Sequence, residues 1–380
     1  MTLTFLTNLV NHHQINVADE LYERLGNNYV YVAFEPLPDW LKKGGYAEFD
    51  RPYILRAYES SENQKLAQEL ADNSDVVIIG SVSEDLVSKR LQQNKITFHY
   101  SERWFKMGYR SLLSPRAWYF FYKNHIQYRN KRSYMLCASA FTASDVHKIG
   151  AYPQKCFKWG YFTRVDEALD IEHVLQKKRD EHVKIMWCAR FLKWKHPELP
   201  VRLAYSLKSR GYDFEINLYG SGEEYDAVKR LIALLQVADR VSLKGNLPND
   251  EILQAMQAHH IFLFTSDRNE GWGAVLNEAM SNGCTVIGAN EIGSVPFLIQ
   301  DGKNGCVFES LSLNSLRNKV EYLINHRDIC EQYAHEAYRS MCDTWSPRNA
   351  TGRLMELINV IQEDGLSNYK VKKGPCSWAE

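Results

Sequence analysis

The stretch Glu270-Gly-Trp-Gly-Ala-Val-Leu-Asn-Glu278 decides how this chain is read. It follows an apolar run at 261–265 and leads into a helical pattern at 274–282. Strand, glycine-bearing turn and helix in that order mark the carboxyl edge of a parallel α/β sheet, where ligands bind. Gly271 and Gly273 let backbone approach a ligand closely. The first amides of the helix and the positive end of its dipole form an anion site near Gly273, Ala274 and Val275. Glu278, in the first turns, repels a phosphate placed there but accepts hydrogen bonds from vicinal hydroxyls. Glu270 reaches a different hydroxyl. Two carboxylates straddling an anion site suit a ligand with both phosphate and polyol parts. The competing reading is a plain turn before a solvated helix.

Two more strand ends bear on that choice. Arg190-Phe-Leu-Lys-Trp-Lys195 follows the apolar run 184–188. Arg190 suits bidentate clamping of a phosphate, and Lys195 adds a point charge. Tyr219-Gly-Ser-Gly-Glu223 follows the run 215–219. This turn is not G-x-G-x-x-G, and no acidic residue follows at dinucleotide spacing, which excludes a nicotinamide site.

Further out, strands are predicted at 184–188, 215–219, 240–243, 261–265 and 285–288, with helices at 199–209, 223–235, 250–258 and 274–282 between them. An earlier series has strands at 2–6, 76–79, 96–100 and 134–138 and a helix at 14–25. Alternation of this kind means parallel sheets with crossover helices, and two series predict two doubly wound α/β domains. A length of 380 residues agrees, since domains hold roughly 150–200 residues each. The join is expected around 158–180. Three helices at 316–324, 329–341 and 347–362 close the chain, with Ser346 as cap and Pro347 in the first turn of the last one. Residues after Asp364 lack periodicity and are expected to be a loose end.

Composition excludes several classes. Formal net charge is zero, so no global field draws the chain to nucleic acid. None of the eight cysteines is in C-x-x-C spacing; they read as reduced thiols of a cytosolic protein, with no zinc site among them. Met1 to Val10 has no basic n-region and no cleavage site, so no signal peptide is expected. No stretch approaches the ~20 apolar residues of a membrane span. A cytoplasmic location follows.

The order of these features resembles family 4 (group 1) glycosyltransferases of the GT-B fold, of the type that builds bacterial polysaccharides. That pattern has an Arg with a Lys five positions on, a glycine-rich turn, then Glu-x7-Glu. Here these are Arg190 and Lys195, Gly220-Ser221-Gly222-Glu223, and Glu270 with Glu278. Val241-Ser-Leu-Lys-Gly-Asn-Leu-Pro248, with Asn246 and Leu247, is similar to the loop bordering the nucleobase. Gly293-Ser-Val-Pro296 with Asp301-Gly-Lys-Asn-Gly305, and Trp345-Ser-Pro347, resemble later blocks. The likeness is specific over 183–353 and mainly architectural before that.

The resemblance implies two Rossmann-like domains facing a cleft, with a C-terminal helix crossing back to the first. Residues 1–165, with a helix near 347–364, would bind the acceptor, and 180–345 the nucleotide-sugar donor. Arg190 and Lys195 would hold the diphosphate, helped by backbone amides near Gly273, Ala274 and Val275. Gly220, Gly222, Asn246, Leu247, Gly271 and Trp272 complete the donor set. Glu278 would take the ribose hydroxyls, and Glu270 the donor sugar and the forming oxocarbenium ion. The family is retaining and generally metal-independent, so no metal and no cofactor are expected. A hexose would pass to a glycan or lipid-linked glycan. The alternatives are a GT-B nucleotide-sugar epimerase, or a non-catalytic glycan- or lipid-binding protein.

The first half carries less chemistry. Asn8-Leu-Val-Asn-His-His13 stands where many members have a glycine-rich turn. His12 and His13 are acceptor-side candidates, with His13 also placed among the catalytic residues. His99, at the end of a strand, and Glu102 with Arg103 beyond it are further candidates. Residues 103–132 hold eight Lys or Arg and no Asp or Glu, interleaved with aromatic side chains. Such a stretch suits an anionic membrane surface on the inner face of the cell membrane, or the grip of a lipid diphosphate. The competing reading packs its aromatic residues into the domain core. Single-stranded nucleic acid would use similar residues, but nothing else in the chain supports it.

Overall fold

The computed structural model describes residues 1–39, 48–179, 182–363 and 365–380. The expected domain start at 180 and the residue at 364 lie outside the described residues. The chain divides into two compact units, Met1–Thr163 with Trp345–Glu380, and Arg164–Thr344.

The first unit holds seven parallel strands: β1 (Leu3–Thr7), β2 (Tyr29–Ala33), β3 (Ile54–Arg56), β4 (Val76–Ile79), β5 (Ile96–Ser101), β6 (Ser133–Cys137) and β7 (Cys156–Lys158). Their order is β3-β2-β1-β4-β5-β6-β7. β4 is Val-Val-Ile-Ile, buried throughout, as a strand covered on both faces must be. The order reverses direction between β1 and β4, so loops leaving these neighbours diverge and open a crevice at their carboxyl ends.

The second unit repeats the design with β8 (Val183–Cys188), β9 (Phe214–Tyr219), β10 (Val241–Gly245), β11 (Ile261–Phe264), β12 (Thr285–Ala289) and β13 (Cys306–Phe308). The order is β10-β9-β8-β11-β12-β13, and the switch point lies between β8 and β11. That pair shares only the registers Ile185↔Ile261 and Met186↔Phe262. Toward their carboxyl ends these two strands therefore part company. Trp187 Nε1 spans the gap to Thr265 Oγ1 at 2.8 Å.

Four strands lay outside the sequence expectation: β2, β3, β7 and β13. Three of them have only three residues each, too few to show a period of two. The last helix is Pro347–Glu363. Its cap is Ser346, whose Oγ accepts from Asn349 N at 3.3 Å. It buries Leu354, Leu357, Ile358 and Ile361 on one face and packs on the helix His12–Leu25, the 3.6-residue pattern of a core-facing helix.

The expectation of a loose end after residue 364 is corrected. Lys158 N donates to Ser377 O at 2.7 Å, Cys376 N to Lys158 O at 2.7 Å, and Ala379 N to Cys156 O at 3.0 Å. Trp378 bridges Phe157 in antiparallel sense. The tail thus covers the open edge of β7, whose backbone groups would otherwise remain unpaired. No helix among the described residues is long and apolar enough to cross a membrane. All eight cysteines are free thiols.

Candidate functional site

At the β8/β11 switch point Lys195 and Glu270 meet. The Lys195 ammonium and a Glu270 carboxylate oxygen form an ion pair, and both residues are buried, 9% and 7% exposed. Glu270 also accepts from Ser266 Oγ at 2.9 Å. Lys195 lies 4.2 Å above the Trp194 ring. The backbone holds these groups in place: Asp267 N donates to Trp194 O, Glu270 N to Asp267 O, and Gly293 N to Glu270 O. His196 clips the same loops together, with Nδ1 2.9 Å from Glu198 and Nε2 3.3 Å from Asp267. Glu198 first, and Asp267 after it, raise the His196 pKa.

The glycine turn after β9 has a steric cause. Gly220 has φ 122, and a Cβ there would fall 2.0 Å from Ala189 O. At Gly222 it would meet Phe191 O at 2.6 Å. Only glycine lets the loops after β8 and β9 lie this close. Phe191 N donates to Ser221 O at 2.8 Å. Asn246 Nδ2 reaches Ser221 Oγ at 2.8 Å, which joins the loop after β10 to the group. Gly273 plays the same part after β11, with φ 81 and Phe264 Cζ only 2.2 Å from a virtual Cβ. Arg190, exposed, stands two residues past β8.

The helix after this turn is shorter than expected, Val275–Ser281, and no side chain caps it. Its dipole is correspondingly small, so the first amides supply whatever anion affinity the turn has. Trp272 is fully buried, with Nε1 bonded to Asn277 Oδ1 at 2.9 Å; it anchors the turn through its packing. Glu278 lies in the helix and is partly exposed. Burial pushes its carboxyl up to about 7.

Two cations, two carboxylates and two glycine-bearing loops are thus gathered at the carboxyl edge of one sheet. That chemistry suits a ligand carrying both phosphate and hydroxyl groups. A cavity of about 650 Å³ bordered by Lys178, Arg179, His260, Gly283 and Arg327 also exists in this unit. His260 and Gly283 precede β11 and β12, so it lies at the opposite, amino edge.

In the first unit the β1/β4 crevice carries two uncharged histidines beside a Glu102–Lys106 ion pair. Asn11 Oδ1 caps the helix by accepting from His13 N at 2.9 Å. Desolvation lowers the His12 pKa to about 4 and holds that of His13 well below its ordinary value, with His12 adding to the second shift. His13 stacks on Tyr161 at 5.1 Å between centroids. The Tyr161 hydroxyl donates to Glu102 Oε1 at 2.6 Å, and Lys106 pairs with Glu102. His12, His13 and Glu102 therefore belong to one cluster, joined by Tyr161. Sequence reading missed Tyr161, since no local signal ties it to residues so far back in the chain.

Two expected acceptor residues are buried in the fold of this unit. Side chains alternate across a strand. Tyr100 bonds Gln14 Nε2 at 2.5 Å, so His99 faces the other side of the sheet, 2% exposed, away from the crevice. Arg103 is buried, with Nε 3.8 Å from Asp145 and its guanidinium over the Phe141 ring. It supports the fold of this segment.

Residues 170–340 match the family described as "Glycosyl transferases group 1". Among curated relatives, the poly(glycerol-phosphate) alpha-glucosyltransferase of Bacillus subtilis is 26% identical over 159 residues, 42% of this chain and 23% of that protein. A GDP-mannose-dependent phosphatidylinositol monomannoside mannosyltransferase of Mycolicibacterium smegmatis is 24% identical over 189 residues, 47% of this chain and 48% of that protein. The chain spans less than half the length of either relative. In architecture it is similar to Anabaena HepE, solved in complex with UDP, at a TM-score of 0.67 and 15% identity, covering 94% of this chain and all of that one. The segment 170–340 belongs to the group 1 glycosyl transferases, and the two sheets have the GT-B fold.

Proposed function

We propose that this chain transfers a hexose from a nucleotide diphosphate sugar to a hydroxyl of a glycan or lipid-linked glycan, with retention and without a metal in the reaction. The Lys195–Glu270 pair at the β8/β11 switch point carries the reading. Arg190 and Lys195 neutralise the diphosphate. Glu278 accepts from the ribose hydroxyls once ionised. Glu270 touches the donor sugar and stabilises positive charge as the glycosidic bond breaks. The departing phosphate takes the acceptor proton on the same face, so no protein base is required. His12, His13, Glu102 and Tyr161 orient the acceptor. The base is open: the Anabaena structure holds UDP, and the Mycolicibacterium relative uses GDP-mannose.

Calorimetric titration with UDP and GDP, together with transfer assays over a nucleotide-sugar panel, tests this. Arg190→Ala and Glu278→Gln should each weaken nucleotide binding and turnover at least ~tenfold. Unchanged binding and turnover in both variants would overturn the site assignment.

The segment 103–132 supports a peripheral location on the inner face of the membrane. It splits into two faces. Phe105, Phe121 and Tyr128 are buried, whereas Met107, Leu113, Trp118, Tyr119 and Tyr122 are exposed. Exposed Arg110 and Arg116 alternate with the latter along the chain and exposed Arg129 follows them, a mixture suited to anionic lipid headgroups. Binding to anionic vesicles at low salt, lost on Trp118→Ser with Tyr119→Ser, is the expected result. No binding to such vesicles would remove the membrane from the proposal.

A further inference from the structure

His99, which the strand alternation turns away from the crevice, faces a second cluster. Glu84 arrives on the turn after β4, and His125 follows the helix Pro115–Asn124. One potential ligand atom from each of Glu84, His99 and His125 lies within 4.8 Å of the others. His99 Nδ1 is 3.2 Å from Glu84 Oε2, but the approach is off the line of a hydrogen bond. Neither ring nitrogen of this buried histidine has a hydrogen-bond partner, and Glu84 Oε2 has none either. Buried polar groups are nearly always satisfied, and a histidine with both nitrogens unmet calls for an explanation.

Two imidazoles and a carboxylate form a ligand set that zinc and its neighbours among the divalent transition metals favour. Adjacent ligand atoms around tetrahedral zinc are about 3.4 Å apart, given bonds of roughly 2.0–2.1 Å. Side-chain rotation would be needed to bring the present spacing to that value. The Tyr152 hydroxyl lies 2.7 Å from His125 Nδ1 and supplies the outer contact that orients a ligating histidine.

We propose that Glu84, His99 and His125 bind one zinc ion, or a similar divalent transition metal, in the first unit. The three ligands come from the turn after β4, from β5 and from the end of the helix Pro115–Asn124. The metal would tie that helix, with its exposed Trp118, Tyr119 and Tyr122, to the sheet. Its role is structural, and it is separate from the donor site in the second unit.

The test uses the full chain, stripped with a chelator and titrated with zinc, with metal content and thermal unfolding as readouts. About one zinc per chain and a higher Tm on zinc addition are expected. Cobalt in place of zinc should give the visible absorption of a four-coordinate site with nitrogen and oxygen ligands. His99→Ala should weaken zinc binding at least ~tenfold. Glu84→Gln, at a partly exposed position, keeps the experiment decisive if His99→Ala fails to fold, and should show the same loss. Zinc uptake undiminished in Glu84→Gln, or no uptake and no change in Tm in the parent chain, would overturn the proposal.

Discussion

The two switch points of this chain share a topology and differ in ladder length and in the burial of their charged groups. Between β1 and β4 the ladder holds four registered pairs, Leu3↔Val76 to Leu6↔Ile79. Between β8 and β11 it holds two. The crevice with the longer ladder presents two neutral histidines, His13 stacked on Tyr161, with the Glu102–Lys106 pair beside that ring. The wider one presents an ion pair, an exposed arginine and a carboxylate held near neutrality. A fold provides the place for a ligand, and the side chains at that place decide its charge. The proposed function assigns the diphosphate to the second crevice and the acceptor hydroxyl to the first.

The largest expected effect strikes at Glu270. Glu270→Gln keeps size and most hydrogen bonding but removes the charge that the proposed function sets against the breaking bond. A fall of about 10²–10³-fold in kcat is expected, with nucleotide affinity changed far less. Single-turnover transfer assays with calorimetric binding check this. Equal losses in affinity and turnover would make Glu270 a binding residue and blur the contrast between the crevices.

Next comes the ion pair as a structural element. Lys195→Met leaves Glu270 buried without its cation, at a cost of about 3 kcal/mol in urea unfolding. Lys195→Met with Glu270→Leu should recover much of that stability while activity stays lost. A single variant as stable as the parent chain would mean that water already solvates the pair.

A smaller effect concerns pH. Glu278 has its folded pKa raised from 4.5 to about 7 by burial, so its ionised form is the one folding disfavours. Its contribution to stability is therefore present at low pH and declines as pH rises from 4.5 toward 7. In the proposed donor role nucleotide binding uses the ionised form and should tighten about tenfold from pH 6 to 8. Glu278→Gln should flatten this dependence. His196 behaves in the opposite sense to a depressed carboxylate. Its folded pKa is raised above 6.5, so its contribution is full below 6.5 and is lost as pH rises through the folded value.

The smallest change falls in the first crevice. Tyr161→Phe removes the hydroxyl that holds Glu102, worth about 1 kcal/mol. A several-fold rise in acceptor KM is expected, with donor hydrolysis unchanged. If donor hydrolysis falls instead, the His13–Tyr161–Glu102 cluster serves the donor.

Much of the second crevice was legible in the sequence. Arg190, Lys195, Gly220, Gly222 and Glu270 stand in the loops after apolar runs, Glu278 in the helix that follows one of them, and a parallel strand delivers the residues after it to one edge. Ser266 could have been found as well, in the polar Thr265-Ser266-Asp267 run that closes β11. The first crevice was less legible. His99 and Arg103 had the right residue types near the right strand end, but which face of β5 each occupies is set by what packs on either side. The aromatic stretch at 103–132 likewise gave composition without orientation.

The sequence by itself determined the alternation of strands and helices, the two doubly wound sheets, and the loops bearing charge and glycine in the second. Local patterns suffice there, because hydrophobic period and turn chemistry act within a few residues. Tertiary structure alone decided that Lys195 lies against Glu270, that His13 and Glu102 share Tyr161, that the tail closes the β7 edge, and that Glu84, His99 and His125 converge. Those contacts join residues far apart in the chain. Their energies depend on desolvation and alignment, which exist only once the sheets have formed.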